Sequence, residues 1–293
     1  MLRSPSHKWA SAPRFRRHAF GWRSQPAVQR IRDATAEIQR VGKKDPALAA
    51  TGAVLFLEKV SPALEHVDSS SGAIGTAVNH AIEACVRLIA EAPVDDCTRD
   101  QWLDRLWEAH QEDAIPYIER LGDYWGELCA SRERASTWAD RLTDTVEMAW
   151  SPSRKPGGYF HGTIACLSAR SRAERYEELL ALIDKAPCSM WNYRKWGVKA
   201  LAAMERKAEA IRYAEASRGL NDNPIAIARA CEKIHRKKVR KIVYTTRRAA
   251  VANDDRDCLA MLQRRPGETF HQFLKRLDAV IGSARHSDIR TDE

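Results

Sequence analysis

The polar chemistry of this sequence is most concentrated just ahead of an apolar helical pattern, at Glu65, His66, Asp68, Ser69, Ser70, Ser71 and Gly72. Hydroxyls and free N–H groups at a helix start can hold an anion, which makes His66, Asp68, Ser69, Ser70 and Ser71 a candidate anion loop. The loop lacks the GxxxxGKS or GxxxxGKT pattern of a nucleotide site and has no Lys or Arg close by in sequence. Asp and Ser are also ordinary helix caps. His66, Asp68 and a serine could in principle supply base, orienting acid and nucleophile, but no GxSxG turn is present to expose the serine. The nine histidines show neither HExxH nor Cys/His finger spacing, so neither a metal nor a cofactor is expected. His80 with Glu83 and His110 with Asp113 stand at i, i+3 and read as solvated helix faces. No motif commits the chain to catalysis.

Two other sets point to binding. Trp191, Tyr193, Arg194, Lys195 and Trp196 place cations among aromatic rings, a combination that could clasp an acidic peptide or stack on bases. Arg236, Lys237, Lys238, Arg240, Lys241, Arg247 and Arg248 form the best candidate for nucleic acid, phosphate-led and salt-sensitive. Charge is unevenly distributed. Residues 1–32 hold eight Lys or Arg and no acid, and residues 233–248 hold eight more, so the rest of the chain is net −7 although the whole is +9.

The elements that must position these groups read as helices. Ala, Glu, Arg, Lys and Leu dominate and strand-type alternation is scarce, so the fold class is all-α. No window reaches the ~18 continuous apolar residues of a membrane span, and the most apolar run, Ala47 to Leu57, reads as a buried helix. Seven scattered cysteines without a CxxC pair suggest small core residues in a reducing cytoplasm. Residues 1–24 read as a basic flexible arm, and 25–150 as an N-terminal helical subdomain ending at the linker SPSRKPGG, residues 151–158. Within that subdomain Asp45-Pro46 should open a helix, Ser61-Pro62 should break or kink it, and Thr98 with Gln101 should form a capping box. A further helix is expected from about Pro116 to Cys129. Residues 159–235 read as helical hairpins, 236–267 as a basic connector, and 268–285 as an amphipathic helix with Phe270, Phe273, Leu274, Leu277, Val280 and Ile281 on one face.

Inside 159–235, Ala169, Glu174, Arg175 and Glu178 recur 31 residues on as Ala200, Glu205, Arg206 and Glu209. The second unit, WGVKALAAMERKAEAIRYAE, resembles a tetratricopeptide unit, although Glu205 stands where that family usually has an inter-helix glycine. The stretches GWRSQPAVQRI, GAVLFLEKVSPALEHVDSSSGAIGTAV, IPYIERLGDYWGELCAS and KALAAMERKAEAIRYAE, taken together, resemble an uncharacterised family of Trp-rich bacterial proteins over residues 9–235. The resemblance implies a tetratricopeptide-like α-solenoid of stacked antiparallel hairpins and a bacterial origin, and no chemistry. The closing ETFHQFLKRLDAVIGSARHSDIRTDE looks like the tail of small, unrelated bacterial proteins, which would make the basic run a junction. The expected role is a scaffold for a protein or peptide partner. Nucleic acid binding through 233–248 is the first alternative and an enzyme site near 65–72 the second.

Overall fold

The computed structural model describes residues 7–17, 19–151, 158–217, 224–235, 241–246, 249–253, 258–265, 267–287 and 291–292. The protein is predominantly helical. It divides into two compact units, Met1–Ala149 with Gly158–Glu174, and Trp150–Gly157 with Arg175–Glu293. Most of the expected 151–158 linker lies outside the described residues.

The first unit begins with three mutually packed helices: α1 (Ser24–Gly42), α2 (Pro46–Leu64) and α3 (Ala73–Glu91). The Asp45 carboxylate accepts the Leu48 N–H at 2.9 Å and Pro46 occupies the first turn, as the sequence suggests. Among the described residues α2 alone has the length and apolarity of a membrane span. Here it is the core helix, with Ala49, Ala53, Val54, Leu57 and Val60 all buried. It runs through Pro62 to Leu64 rather than stopping at the proline, which removes the N–H that would meet the Glu58 carbonyl, and it ends two residues later.

The described part of the expected flexible arm, residues 7–17 and 19–24, is instead folded against these helices. Phe15 and Phe20 are buried, with Phe15 edge-on to Phe56 of α2 at 5.2 Å. The Ala10 and Ser11 N–H groups donate to the Glu37 carboxylate of α1. Gly52 of α2 makes room for the arm, since a Cβ there would lie 2.2 Å from the Trp9 ring. The arm's aromatics anchor it despite its charge.

Helix α4 (Asp96–Gln111) is capped by Asp95, which accepts the Thr98 N–H at 2.7 Å, so the cap stands three residues before the expected Thr98–Gln101 box. The helix expected over 116–129 is a 3-10 turn, Glu119–Tyr124, followed by the short α5 (Trp125–Leu128). Helix α6 (Arg132–Trp150) lies along α4 through Arg134 to Asp96 and Asp100, and through Arg141 to Asp104. Helix α7 (Thr163–Arg172) packs on α5.

The second unit contains α8 (Tyr176–Asp184), α9 (Trp191–Ala203), α10 (Lys207–Glu215) and α11 (Pro224–His235). The stretch expected as a basic connector holds strands β1 (Lys241–Thr246), β2 (Ala249–Asn253) and β3 (Cys258–Gln263). With β4 (Thr291–Asp292) they form a sheet in the order β1-β2-β3-β4, antiparallel except for the β3–β4 pair. The last helix, α12 (Phe270–Ser287), docks within this unit. It lies against β3, and its Leu274 joins Val198, Leu201, Ile211, Ile227 and Cys231 in one core. A reciprocal box opens it: Gln272 N–H donates to Thr269 Oγ1 and Thr269 N–H to Gln272 Oε1. Cys85, Cys129, Cys166 and Cys231 are buried, and burial pushes the Cys85, Cys129 and Cys231 thiols up to about 12.

The 31-residue recurrence has a backbone counterpart. Glu174 and Glu205 both adopt left-handed φ, at 59° and 60°. Arg175 and Arg206 then precede nine-residue helices and clamp Glu178 and Glu209 bidentately. A glutamate with positive φ is strained by about 1 kcal/mol relative to glycine. Glu205→Gly should therefore raise stability by about 1 kcal/mol, because the Glu205–Lys207 pair it removes is exposed. Chemical denaturation reads this out; an unchanged or lower midpoint would refute strain at the turn.

Candidate functional site

The anion loop is a capping structure. Ser69, Ser70 and Ser71 are exposed. The Asp68 carboxylate accepts the Ser70 N–H at 3.0 Å, and this bonding holds its pKa below the usual carboxylate range. Ser71 Oγ accepts the Ala73 N–H and Gly72 takes φ 70° at the start of α3. An ionised carboxylate inside the turn opposes an anion there. His66 is also exposed, and none of these groups lines the pocket beside Ser61 described below.

The aromatic groove expected on α9 is closed. Trp191, Tyr193 and Trp196 are each less than a tenth exposed. The expected cation–aromatic pairing is present but lies within the fold. Arg194 sits 3.8 Å from the Tyr213 ring centre and reaches Ser217 Oγ at 3.3 Å, and Lys199 sits 3.8 Å from the Trp196 ring centre, with Lys195 at 5.9 Å. Gly197 makes this possible, since a Cβ there would meet the Tyr213 ring at 2.7 Å. Of the basic run, Arg236, Lys237, Lys238, Arg240, Arg247 and Arg248 lie outside the described residues. Lys241 opens β1, an edge strand.

The polar site that sequence reasoning passed over joins the C-terminal ends of α2 and α4. His110 and Asp113, expected on a solvated face, are 1% and 7% exposed. Ser61 Oγ donates to Asp113 Oδ1, which also accepts the Tyr117 N–H, while Oδ2 accepts the Ile118 N–H at 2.8 Å. Burial raises the Asp113 pKa against these bonds. The His110 ring stacks on Trp107 and lies 4.2 Å from that of His161. Its Nε2 faces the Glu119 carbonyl at 3.4 Å and its Nδ1 faces Gln111 Nε2 at 3.3 Å. Burial, and secondarily His161, push the His110 pKa down to about 4. Tyr159 OH links His161 Nδ1 at 3.3 Å to Glu119 Oε1 at 3.1 Å.

No family model, curated protein or solved structure matches this chain. The chemistry of the site follows from its geometry. Ser61 donates to a carboxylate and not to an imidazole, and both His110 ring nitrogens face groups of the protein. No serine–histidine relay is assembled here. Among the described residues, no three His, Cys, Asp or Glu are placed to hold a metal ion. The network ties α2 to the turn after α4. Beside it opens a pocket of about 420 Å³, into which Ser61 faces along with Glu65, Glu112 and Ile115. Of the other helix pair weighed in the sequence, Glu83 is held by Arg120 and Tyr124, and His80 lines a shallower groove between α1 and α3.

Proposed function

We propose that the chain is a helical-repeat scaffold that binds a protein or peptide partner, with its contact centre at Trp22. The observation that carries this is exposure. Trp22 is 73% exposed, whereas the tryptophans of α9 are buried. Its backbone carbonyl accepts the Asp68 N–H at 2.9 Å, which fixes the residue beside the 65–72 loop. Large aromatics of this kind anchor protein interfaces. The shared turn at Glu174 and Glu205 supports a tetratricopeptide-like repeat, an architecture suited to presenting surface.

A photocrosslinking residue introduced at position 22 should give discrete adducts with a partner in native lysate. The same residue at exposed Glu91 should give none. Equal or absent adducts at the two positions would remove Trp22 as the contact centre.

A further inference from the structure

We propose that the pocket beside Ser61 is a binding site for an alkylammonium group. This stands apart from the Trp22 reading, because the pocket, although it includes Glu65 at the start of the 65–72 loop, contains neither Trp22 nor Asp68, whose N–H holds it.

Four polar residues line the pocket: Ser61, Glu65 and Glu112 offer acceptors, and Arg17 is the one donor cation among them. Ser61 has one proton and gives it to Asp113, so towards the pocket it offers lone pairs. Glu112 lines the pocket and its carboxylate makes no ion pair or hydrogen bond among the described residues. Glu65 pairs with Arg17 at 3.3 Å, but Arg17 is 69% exposed and such a surface pair is readily exchanged. The lining is net negative, and the Asp113 carboxylate stands one hydrogen bond behind it. Anions are therefore disfavoured and a multi-donor cation is favoured.

The remaining wall is apolar. Pro62, Ala114 and Ile115 supply it, and Ile115 is one of the large apolar residues left exposed among those described. A short alkyl chain would cover that wall while its ammonium reached Glu112 and Ser61. About 420 Å³ lies within the range of small-ligand sites and is ample for one amine-bearing chain. The position fits a cation: α2 ends at Leu64 and α4 at Gln111, the next residue of each, Glu65 and Glu112, lines the pocket, and helix C-termini favour cations.

The amine could be a free diamine or a lysine side chain on a peptide, and the test separates them. Calorimetric titration of the full chain at low salt should show saturable binding of 1,5-diaminopentane, of N-acetyl-lysine methylamide, or of both, and none of pentanoate. Binding of only one amine identifies the source. Glu112→Gln, at an exposed position, should weaken binding about fivefold. Ile115→Ala should also weaken it, and added salt should weaken it in the wild type. Absence of saturable binding by both amines, pentanoate binding as tightly, or an unchanged affinity in Glu112→Gln would each overturn the proposal. None of these outcomes depends on whether position 22 captures a partner.

Discussion

Gly126→Ala should lower the stability of the first unit by about 3 kcal/mol, the upper part of the range for overpacking. Gly126 lies in α5, where the chain passes closest to α7. A Cβ there would stand 2.4 Å from the Ser168 carbonyl oxygen and 2.6 Å from Arg172 Cβ. The first of these is backbone and cannot turn aside. The same contact holds a hydrogen-bonded bridge: Gly126 N–H donates to Ser168 Oγ at 3.0 Å, and Ser168 Oγ donates to the Asp123 carbonyl at 3.1 Å. Moving α5 away breaks this bridge and loosens Trp125, which is fully buried beside Trp107 and Trp138. Urea unfolding followed by tryptophan fluorescence measures the change. Gly75→Ala is the control. It is helical with open space around its Cβ, and should be neutral or stabilising by up to ~1 kcal/mol. If both variants share the wild-type midpoint, the close approach of α5 and α7 is wrong.

The helices were legible where one local rule was enough. Asp45-Pro46 is a cap that reads in four residues, and the spacing of Phe273, Leu274 and Leu277 gives α12 a single buried face. The strands were not legible, because β1 mixes β-branched residues with a basic lead-in and β2 is three-fifths alanine, a helix former. What makes them strands is pairing, such as Val251 with Val243 on one side and Met261 on the other. The arm failed for a related reason. Its charge is local, but Phe15 finds Phe56 and Trp9 finds Gly52 only once α2 has formed.

The candidate site was hidden by sequence distance. His110 and Asp113 at i, i+3 suggest one exposed helix face. In fact α4 ends at Gln111, so Asp113 lies on the following turn and is free to face inward. Its partner Ser61 stands 52 residues away, in a dipeptide whose only sequence message is the proline that follows. Conversely, Trp191, Tyr193 and Trp196 advertise a groove because aromatic content is visible and burial is not. Gly197, the residue that lets Tyr213 close over α9, was the available signal.

Acidification should destabilise the first unit through His110, by about 3 kcal/mol between pH 6.5 and pH 4. In the folded protein this imidazole is buried, stacked on Trp107 and 4.2 Å from the His161 ring, and its pKa is pushed down to about 4. In the unfolded chain it titrates near the ordinary 6.5. The unfolded state therefore binds the proton first. Stability from this group is complete above about pH 6.5 and is lost as pH falls towards 4. Asp113 acts in the opposite sense. Its folded pKa is raised, so the folded state takes up that proton more readily and blunts the loss at the acid end of the window. His110→Gln keeps a polar side chain able to meet the Glu119 carbonyl but removes the titration. Its stability at pH 7.5 should fall modestly, while the slope of stability against pH between 6.5 and 4.5 should drop to less than half the wild-type slope. Parallel slopes in the two proteins would show that the acid sensitivity lies elsewhere and that His110 is not the proton acceptor the unfolded chain exposes.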